Sequence, residues 1–270
     1  QIKKLFCGTL DPNPKINGRG IKLLKKAGIE VKVGLLKKEC NELNRIFFTN
    51  QKQSRPYIIL KSAQSLDGKI ALKSGESSWI SNPESRKNSH RIRSMVKGIL
   101  VGRNTAEQDN PSLTVRLAKN ELGLTKNEVL EQPVKIILGN LKKSKKVSKI
   151  FAGKSKIIIA SKQSAKKLGN IEYLEYKNKN FLKKFLQDLL DRNISSILVE
   201  GGQKTLNTFI VNNLFDELVL YTAPMFLGAK SKDAISLNAP DSIKASKKLK
   251  MVKQEKFKDD IKTTYYNTNV

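Results

Sequence analysis

Short apolar runs alternate with helix-like segments from about residue 57 onward. The runs are rich in Ile, Val and Leu, as buried strands are, and they lie at 57–65, 98–102, 134–138, 156–160, 194–199 and 217–223. Helices are predicted near 83–95, 181–191 and 203–213. This alternation predicts an α/β fold with a mixed, mostly parallel sheet and helices on both faces.

The helix at 83–95 carries the clearest start signal in the chain. Ser81 and Asn82 are N-cap residue types, Pro83 suits the first helical position, and Glu84 follows Ser81 at capping-box spacing. Two other patterns predict further strands. A turn at residues 67–68 leads into a short strand at 69–72, and segments 251–252 and 263–266 are predicted to close the sheet as an antiparallel pair.

The first fifty residues form a separate pattern. Strands are predicted at 5–9 and 29–33, and helices at 21–27, ending at Gly28, and at 36–48. The polar stretch 49–54 is the best boundary candidate. We therefore expect two regions: residues 1–50, an incomplete α/β domain, and residues 51–270, the main domain.

The net charge of +28 first suggests a nucleic-acid partner. The lysines, however, are spread through predicted helices, strands and loops, and no nucleic-acid-binding motif accompanies them. We therefore expect no specific nucleic-acid binding, although a basic nucleic-acid-binding protein stays as an alternative.

Several other classes are disfavoured by what the chain contains. Cys7, Cys40 and His90 are too few and too scattered for a structural zinc site or a disulfide scaffold. Apolar runs fall short of a membrane span. The first residues lack an initiator Met and a signal peptide, so we expect a cytoplasmic chain whose sequence begins inside a longer protein.

Arginine is concentrated in one part of this lysine-rich chain. Its planar fork binds phosphate or carboxylate through two hydrogen bonds, which lysine cannot do. The cluster is therefore a candidate anion site, with plain surface charge as the alternative. Its members are Arg55, Arg86, Arg91, Arg93, Arg103 and Arg116.

Two strand-to-helix junctions are candidate ligand sites, because open α/β sheets bind ligands at the carboxyl ends of their strands. They are 98–105 and 197–205, and the second contains the pair Gly201-Gly202. Glycine lets a phosphate approach the backbone at a helix N-terminus. Neither junction has the spacing of the Rossmann or P-loop motifs. A Gly-Gly turn without a ligand stays as the alternative.

Five single residues add to this picture. Glu200 ends an apolar strand at the second junction, and its partner across the site is expected to be Lys61 or Asp67. A lysine within an apolar strand is costly unless it is paired or functional. Trp79 either stacks on a nicotinamide or base or belongs to the core. His90 lies on the predicted helix and is assigned no function.

Six segments in one order resemble the reductase half of the bifunctional riboflavin-biosynthesis deaminase/reductases. They are 55–61, 65–69, 74–80, 98–105, 109–116 and 199–202. Segments 11–20, 27–31 and 43–48 look like the end of the deaminase half of the same family. The resemblance implies a dihydrofolate-reductase-like domain preceded by a truncated, cytidine-deaminase-like remnant without its zinc ligands, so no deamination is expected.

The resemblance also implies a reaction and a set of site residues. The activity is the NADPH-dependent reduction of 5-amino-6-(5-phosphoribosylamino)uracil, a phosphorylated aminopyrimidine, to its ribityl form. Substrate-binding positions fall on Ser77, Arg93, Leu113, Arg116 and Glu200. Cofactor-binding positions fall on Ala63, Trp79, Thr105, Asp109, Asn140, Gly202, Gln203, Lys204, Thr205, Leu206, Asn207 and Thr208.

For the mechanism we expect Glu200 and Lys61 to act at the reacting centre, while Arg93 and Arg116 grip the substrate phosphate. No metal is expected in this chain. A homo-oligomer is compatible with the sequence. A reductase of the same fold that acts on a pterin stays as a second alternative.

Overall fold

A computed structural model describes residues 2–125, 127–141, 148–178 and 181–268. They form two compact units, a smaller one of residues 1–57 and 182–195 and a larger one of residues 58–181 and 196–270.

Strands and helices alternate along much of the chain. The strands are β1 (Lys4–Cys7), β2 (Glu30–Val33), β3 (Tyr57–Ser65), β4 (Lys69–Ala71), β5 (Gly98–Gly102), β6 (Val134–Leu138), β7 (Ile157–Ser161), β8 (Lys166–Leu168), β9 (Ile171–Glu175), β10 (Ser196–Val199), β11 (Glu217–Ala223), β12 (Lys232–Asp233), β13 (Leu249–Phe257) and β14 (Asp260–Asn267). The helices are α1 (Arg19–Lys26), α2 (Lys37–Leu43), α3 (Arg45–Gln53), α4 (Pro83–Ser94), α5 (Arg103–Asp109), α6 (Ser148–Phe151), α7 (Leu182–Leu190) and α8 (Gln203–Val211), with 3-10 turns at Asn120–Leu122 and Ile243–Ala245.

The smaller unit contains the parallel pair β1–β2 and helices α1, α2, α3 and α7. Within it, the Asn50 side chain donates hydrogen bonds to the carbonyls of Arg55 and Ser195, each at 2.9 Å. The Tyr57 amide donates to the same Ser195 carbonyl at 2.9 Å. These bonds tie segment 182–195 to the end of α3.

The prediction of one helix over 36–48 is wrong. The chain forms two helices there, and Asn44 separates them with its side chain donating to the Cys40 carbonyl at 2.8 Å. Helix α3 then continues through the polar stretch 49–53 and ends at Ser54, which has a φ of 52°. The polar sequence of this stretch predicted a linker, but the residues of a solvent-facing helix are equally polar.

The larger unit is built on a ten-stranded sheet in the order β13-β14-β11-β3-β10-β5-β6-β7-β9-β8. The pairs β11–β3, β10–β5, β5–β6, β6–β7 and β7–β9 are parallel, whereas β8, β13 and β14 pair antiparallel. The predicted mixed, mostly parallel sheet is therefore confirmed, as is the antiparallel closing pair. Two smaller strands, β4 and β12, pair with each other.

The crossover connections assign helices to both faces of this sheet. The chain passes from β3 through α4 to β5, which is the second strand from β3 in the sheet order. It passes from β10 through α8 to β11, which is the second strand from β10 in the opposite direction. Because such crossovers are right-handed, α4 and α8 lie on opposite faces. Between them the central strands are buried, with Leu60, Ile99 and Leu198 fully inaccessible to solvent.

Helix α4 begins where the sequence predicts, with Pro83 as its first residue and Asn82 as its N-cap. The Asn82 side chain accepts from the Ser85 amide at 3.0 Å. The predicted capping box between Ser81 and Glu84 is wrong. The cap residue is Asn82, and its own amide donates at 2.8 Å to the carboxylate of Asp260, from the far C-terminal strand.

The topology brings two helix starts together at one edge of the sheet. Strands β5 and β10 are parallel neighbours, with Leu198 opposite Ile99, so their carboxyl ends lie side by side. Helix α5 follows β5 directly and α8 follows β10 after a short turn. No described helix is long and apolar enough to cross a membrane.

Candidate active site

A cavity of about 620 Å³ opens where β3, β5, β6 and β10 end, and all of its lining residues belong to the larger unit. That volume is in the range of small-molecule sites, roughly 300–1,000 Å³. The predicted site residues that line it are Lys61, Ala63, Ser77, Arg93, Thr105, Asp109, Leu113, Glu200, Gly202, Lys204, Thr205 and Thr208.

The two glycine junctions meet at Thr205. A methyl group added at Gly201 would lie 2.5 Å from the Thr205 Cβ, and one at Gly102 would collide with the Thr205 hydroxyl. The Gly202 amide donates to the Thr105 hydroxyl at 3.2 Å, which links the start of α8 to α5. Glycine is thus required by close packing, and it leaves the N-terminus of α8 without a side-chain cap. Such a terminus favours phosphate.

Glu200, the first residue after β10, forms a two-point ion pair with Arg93 from α4. Arg93 Nε donates to Oε1 at 3.0 Å and Nη2 donates to Oε2 at 2.5 Å. Both side chains are largely buried, at 14% and 11% exposed for Arg93 and Glu200. The third nitrogen, Nη1, donates to the Thr114 carbonyl at 3.1 Å. The fork of Arg93 therefore faces Glu200.

Lys61 completes this group from the middle of β3. Its ammonium lies 5.4 Å from the ring centroid of Tyr221, and it lines the cavity together with Glu200. Of the two partners that the sequence left open for Glu200, Lys61 is the one at the cavity. Asp67 instead accepts hydrogen bonds from Ser65 and from the backbone of 227–228, which lower its pKa to about 2.

Electrostatics gives these three groups different protonation behaviour. Burial lowers the pKa of Lys61, and the nearby Glu200 carboxylate offsets this only in part. For Glu200, burial acts to raise the pKa, but the charges of Arg93 and Lys61 outweigh it and hold the pKa below its ordinary value. Glu200 is thus a fixed carboxylate, whereas Lys61 is the group that gives up a proton most readily.

Segment 110–118 forms a further wall of the cavity without being a helix or strand. Leu113 is 1% exposed and has a φ of 49°, an unusual conformation for a leucine. Arg116 is exposed and lies outside the cavity lining, with Nη1 donating to the Ser112 hydroxyl at 3.2 Å. The Arg116 amide donates to His90 Nδ1 at 3.2 Å. His90, assigned no function from the sequence, therefore belongs to this region.

Other predicted cofactor residues lie outside the lining. The Asn140 side-chain Oδ1 accepts from the Lys162 amide at 2.9 Å, Leu206 is fully buried, and the Asn207 side-chain Oδ1 accepts from the Ser236 amide at 3.2 Å. Gln203, the first residue of α8, also does not line the cavity.

Trp79 is the clearest departure from its expected place. It is 73% exposed with a φ of 68°, and the Arg86 guanidinium lies 4.3 Å from the ring centroid. The core alternative for this tryptophan is therefore wrong. Its ring does not line the cavity.

The sequence reasoning missed several lining residues, and Gly139 and Lys232 are two of them. Gly139 directly follows β6, has a φ of 117°, and would place a methyl group 3.2 Å from the Arg103 Cβ. It obeys the same strand-then-glycine pattern as the two junctions, so that signal was available. Lys232 lines the cavity from β12, and only the tertiary fold brings it there. No cluster of three potential metal-ligating His, Cys, Asp or Glu side chains occurs among the described residues.

Comparisons with known proteins agree on one family. The model of the RibD C-terminal domain matches residues 56–263. The riboflavin biosynthesis protein RibD of Aquifex aeolicus is 38% identical over 268 residues, which cover 96% of this chain and 71% of that protein. The family that the six motifs indicate is confirmed.

Solved structures give the same result. Acinetobacter baumannii RibD superposes with a TM-score of 0.83 at 27% identity, covering 99% of this chain and 73% of that one. A deaminase/5-amino-6-(5-phosphoribosylamino)uracil reductase from Thermotoga maritima gives 0.80 at 30% identity, covering 98% and 72%. The chain belongs to the RibD family of riboflavin-biosynthesis proteins, as a part of such a protein that contains the C-terminal reductase domain.

Proposed function

We propose that this chain reduces the ribosyl group of 5-amino-6-(5-phosphoribosylamino)uracil to ribityl, with NADPH as the reductant. The observation that carries the proposal is the cavity itself. One wall holds a glycine-rich helix start suited to phosphate, and the adjoining wall holds the buried group Lys61, Glu200 and Arg93. A hydride-transfer enzyme needs a dinucleotide-binding site next to the polar groups that contact the substrate.

On the cofactor side, the residues at the two junctions fit a dinucleotide. When bound, NADPH supplies the hydride that reduces the sugar carbon C1. Gly201 and Gly202 let the pyrophosphate approach the amides at the start of α8, and Lys204, whose side chain lines the cavity, adds positive charge nearby. Thr105 holds the position of Gly202 through their hydrogen bond.

On the substrate side, the ring-opened, imine-like form of the substrate has a C1=N bond. Reduction at C1 moves the π electron pair to nitrogen, and that nitrogen then takes one proton. We assign the proton to Lys61, because burial lowers the pKa of its ammonium and the group lines the cavity. Lys61 regains its proton from solvent after product release.

Arg93 receives a different role from the one the sequence suggested. Arg93 directs its fork to Glu200 rather than outward, so we assign it to orienting that carboxylate. Glu200 then contacts the polar groups of the substrate and keeps Lys61 protonated before the transfer. We assign binding of the substrate phosphate to Arg116, which lies outside the lining of the cavity that Ser77 and Leu113 help to form.

The domain division expected from the sequence stays a proposal as well. We infer that residues 1–50 are a C-terminal remnant of a zinc deaminase domain and contain none of its zinc ligands. Residues 51–270 then carry the reductase. Release of ammonia from the diaminopyrimidine precursor by this chain, with added zinc, would contradict the assignment.

The test follows NADPH absorbance with the purified chain and freshly prepared 5-amino-6-(5-phosphoribosylamino)uracil. Dihydrofolate and NADH run in parallel. Oxidation that depends on the aminouracil supports the proposal. Oxidation with dihydrofolate instead would indicate a pterin reductase, and no turnover by a folded sample would contradict the reductase assignment.

A further inference from the structure

The wall formed by residues 112–116 is held in place by side chains rather than by backbone pairing. Gln132 brackets Val115, accepting from its amide at 2.8 Å and donating to its carbonyl at 3.2 Å. Arg93 donates to the Thr114 carbonyl at 3.1 Å. His90 accepts from the Arg116 amide at 3.2 Å. Each of these side chains fixes one part of a segment that has no secondary structure.

This support matters because the segment has an uncommon conformation. Leu113 lines the cavity with a φ of 49°, in the left-handed region that non-glycine residues seldom occupy. Such a conformation persists only when the surrounding contacts over-determine it.

His90 and Arg93 lie on one face of α4, three residues apart. Arg93 reaches Glu200 and the Thr114 carbonyl, whereas His90 reaches Arg116 twice. His90 Nε2 also lies 3.2 Å from Arg116 Nη2, but a neutral ring that accepts the amide at Nδ1 carries its proton at Nε2, so the bond to the Arg116 amide is the hydrogen bond between the two residues. The Arg116 guanidinium donates through Nη1 to the Ser112 hydroxyl. Arg116 is therefore held at its backbone by His90 and at its guanidinium by Ser112, although its side chain is exposed.

We propose that His90 is a positioning residue that fixes the backbone at Arg116 and the turn at Leu113, so that the Arg116 side chain is placed for binding of the substrate phosphate. The role of Arg116 in this statement rests on the proposed function. His90 is not among the residues that line the cavity, so we assign its effect to the positioning of Arg116.

The charge state of His90 is consistent with this role. A neutral imidazole accepts a hydrogen bond at one ring nitrogen, whereas a protonated ring accepts none. Burial, followed by the charges of Arg93 and Arg116, lowers the pKa of His90 to about 4, with Glu200 acting in the opposite direction. The ring is thus neutral at physiological pH and able to accept from Arg116.

The test compares His90→Leu, His90→Gln and the wild-type chain. In His90→Leu we expect the KM for the aminouracil phosphate to rise about tenfold, as for the loss of one hydrogen bond that positions Arg116. The kcat and the Kd for NADPH stay within about twofold, which a general loss of structure would not allow. Glutamine keeps an acceptor, so His90→Gln recovers part of the affinity. Ser94→Ala, which removes a hydroxyl bond within the same helix, is the matched control.

A double-mutant cycle shows whether His90 acts through Arg116. In an Arg116→Met background, His90→Leu is expected to have no further effect on KM. An unchanged KM in both single His90 variants would overturn the proposal, as would a fully additive cycle.

Calorimetric titration with ribose 5-phosphate separates this inference from the proposed function, because it needs no turnover. An inactive wild-type chain would contradict the reductase assignment alone. Weaker binding of ribose 5-phosphate by His90→Leu, with partial recovery in His90→Gln, would still support the positioning role. Equal affinity in all three proteins would overturn it.

Discussion

Replacing Glu200 with glutamine tests the core of the site with little change in shape. The carboxylate accepts two charge-assisted hydrogen bonds from Arg93, and the two side chains are only 11% and 14% exposed. Glutamine keeps one acceptor oxygen and turns the other position into a donor that faces Arg93. In the variant, the largely buried Arg93 guanidinium therefore keeps only one of the two acceptor oxygens that it contacts in the wild type.

The expected cost follows from that geometry. Removing one partner of a buried ion pair costs about 3–5 kcal/mol, and the remaining amide oxygen recovers about 1–2 kcal/mol of it. We therefore expect Glu200→Gln to lower the free energy of unfolding by about 2–3 kcal/mol. We expect kcat to fall roughly 100-fold, which corresponds to about 2.7 kcal/mol in the barrier, because both Arg93 and Lys61 lose the charge that orients them.

The pKa of Glu200 determines how the predicted loss of stability changes with pH. The folded-state pKa of Glu200 lies below its ordinary 4.5. Its carboxylate therefore contributes stability above that ordinary pKa, and the contribution is lost as the pH falls through the folded-state pKa. The stability difference between wild type and Glu200→Gln should accordingly shrink in acid below about pH 4.5.

Urea unfolding and steady-state kinetics measure both effects, and NADPH titration should give an unchanged Kd. Glu131→Gln is the matched control, because its carboxylate is 80% exposed and pairs with the exposed Lys97. A surface pair of this kind contributes below about 1 kcal/mol. Wild-type turnover and stability in Glu200→Gln would refute the role assigned to the buried pair.

Three further variants test the neighbouring groups. Lys61→Met should reduce kcat at least about 100-fold without lowering the Tm, because it removes an ammonium that burial disfavours; full activity would exclude Lys61 as the proton donor. Arg116→Lys should raise the KM for the aminouracil about tenfold despite the conserved charge, and an unaltered KM would contradict two-point phosphate binding. Gly201→Ala should weaken NADPH binding by about tenfold or more and destabilise the fold by about 1–3 kcal/mol, because the added methyl would lie 2.5 Å from the Thr205 Cβ. An unchanged affinity for NADPH, measured by calorimetry, would contradict a role of Gly201 in cofactor binding.

The sequence predicts the buried strands of this molecule better than its exposed strands. The runs at 57–65, 98–102, 134–138 and 217–223 coincide with β3, β5, β6 and β11, because a buried parallel strand has an almost continuous apolar signature. Strands β8 and β9 went unpredicted, since the first is an exposed segment of Lys166–Leu168 and the second mixes polar with apolar residues. Strands of this kind, at the edge of the sheet or next to it, form by pairing with neighbouring strands, and the local sequence pattern does not contain that information.

The same limit applies to the site. Glu200 and the Gly-Gly junction could be singled out, because a carboxylate and glycines at the end of an apolar strand are unusual in one dimension. That Arg93 points to Glu200 could not be predicted, because 107 residues separate them in sequence and only the adjacency of β5 and β10 unites their elements. His90 carried no signal at all until its contact with Arg116 was visible.

The most direct test of the account follows the hydrogen that is transferred. The purified chain is supplied with NADPH deuterated at the transferable C4 position and with 5-amino-6-(5-phosphoribosylamino)uracil, and the ribityl product is examined by mass spectrometry and NMR. The account predicts one deuterium, located at sugar C1. A reduced product without deuterium at C1, or no reduction by a folded chain, would contradict it.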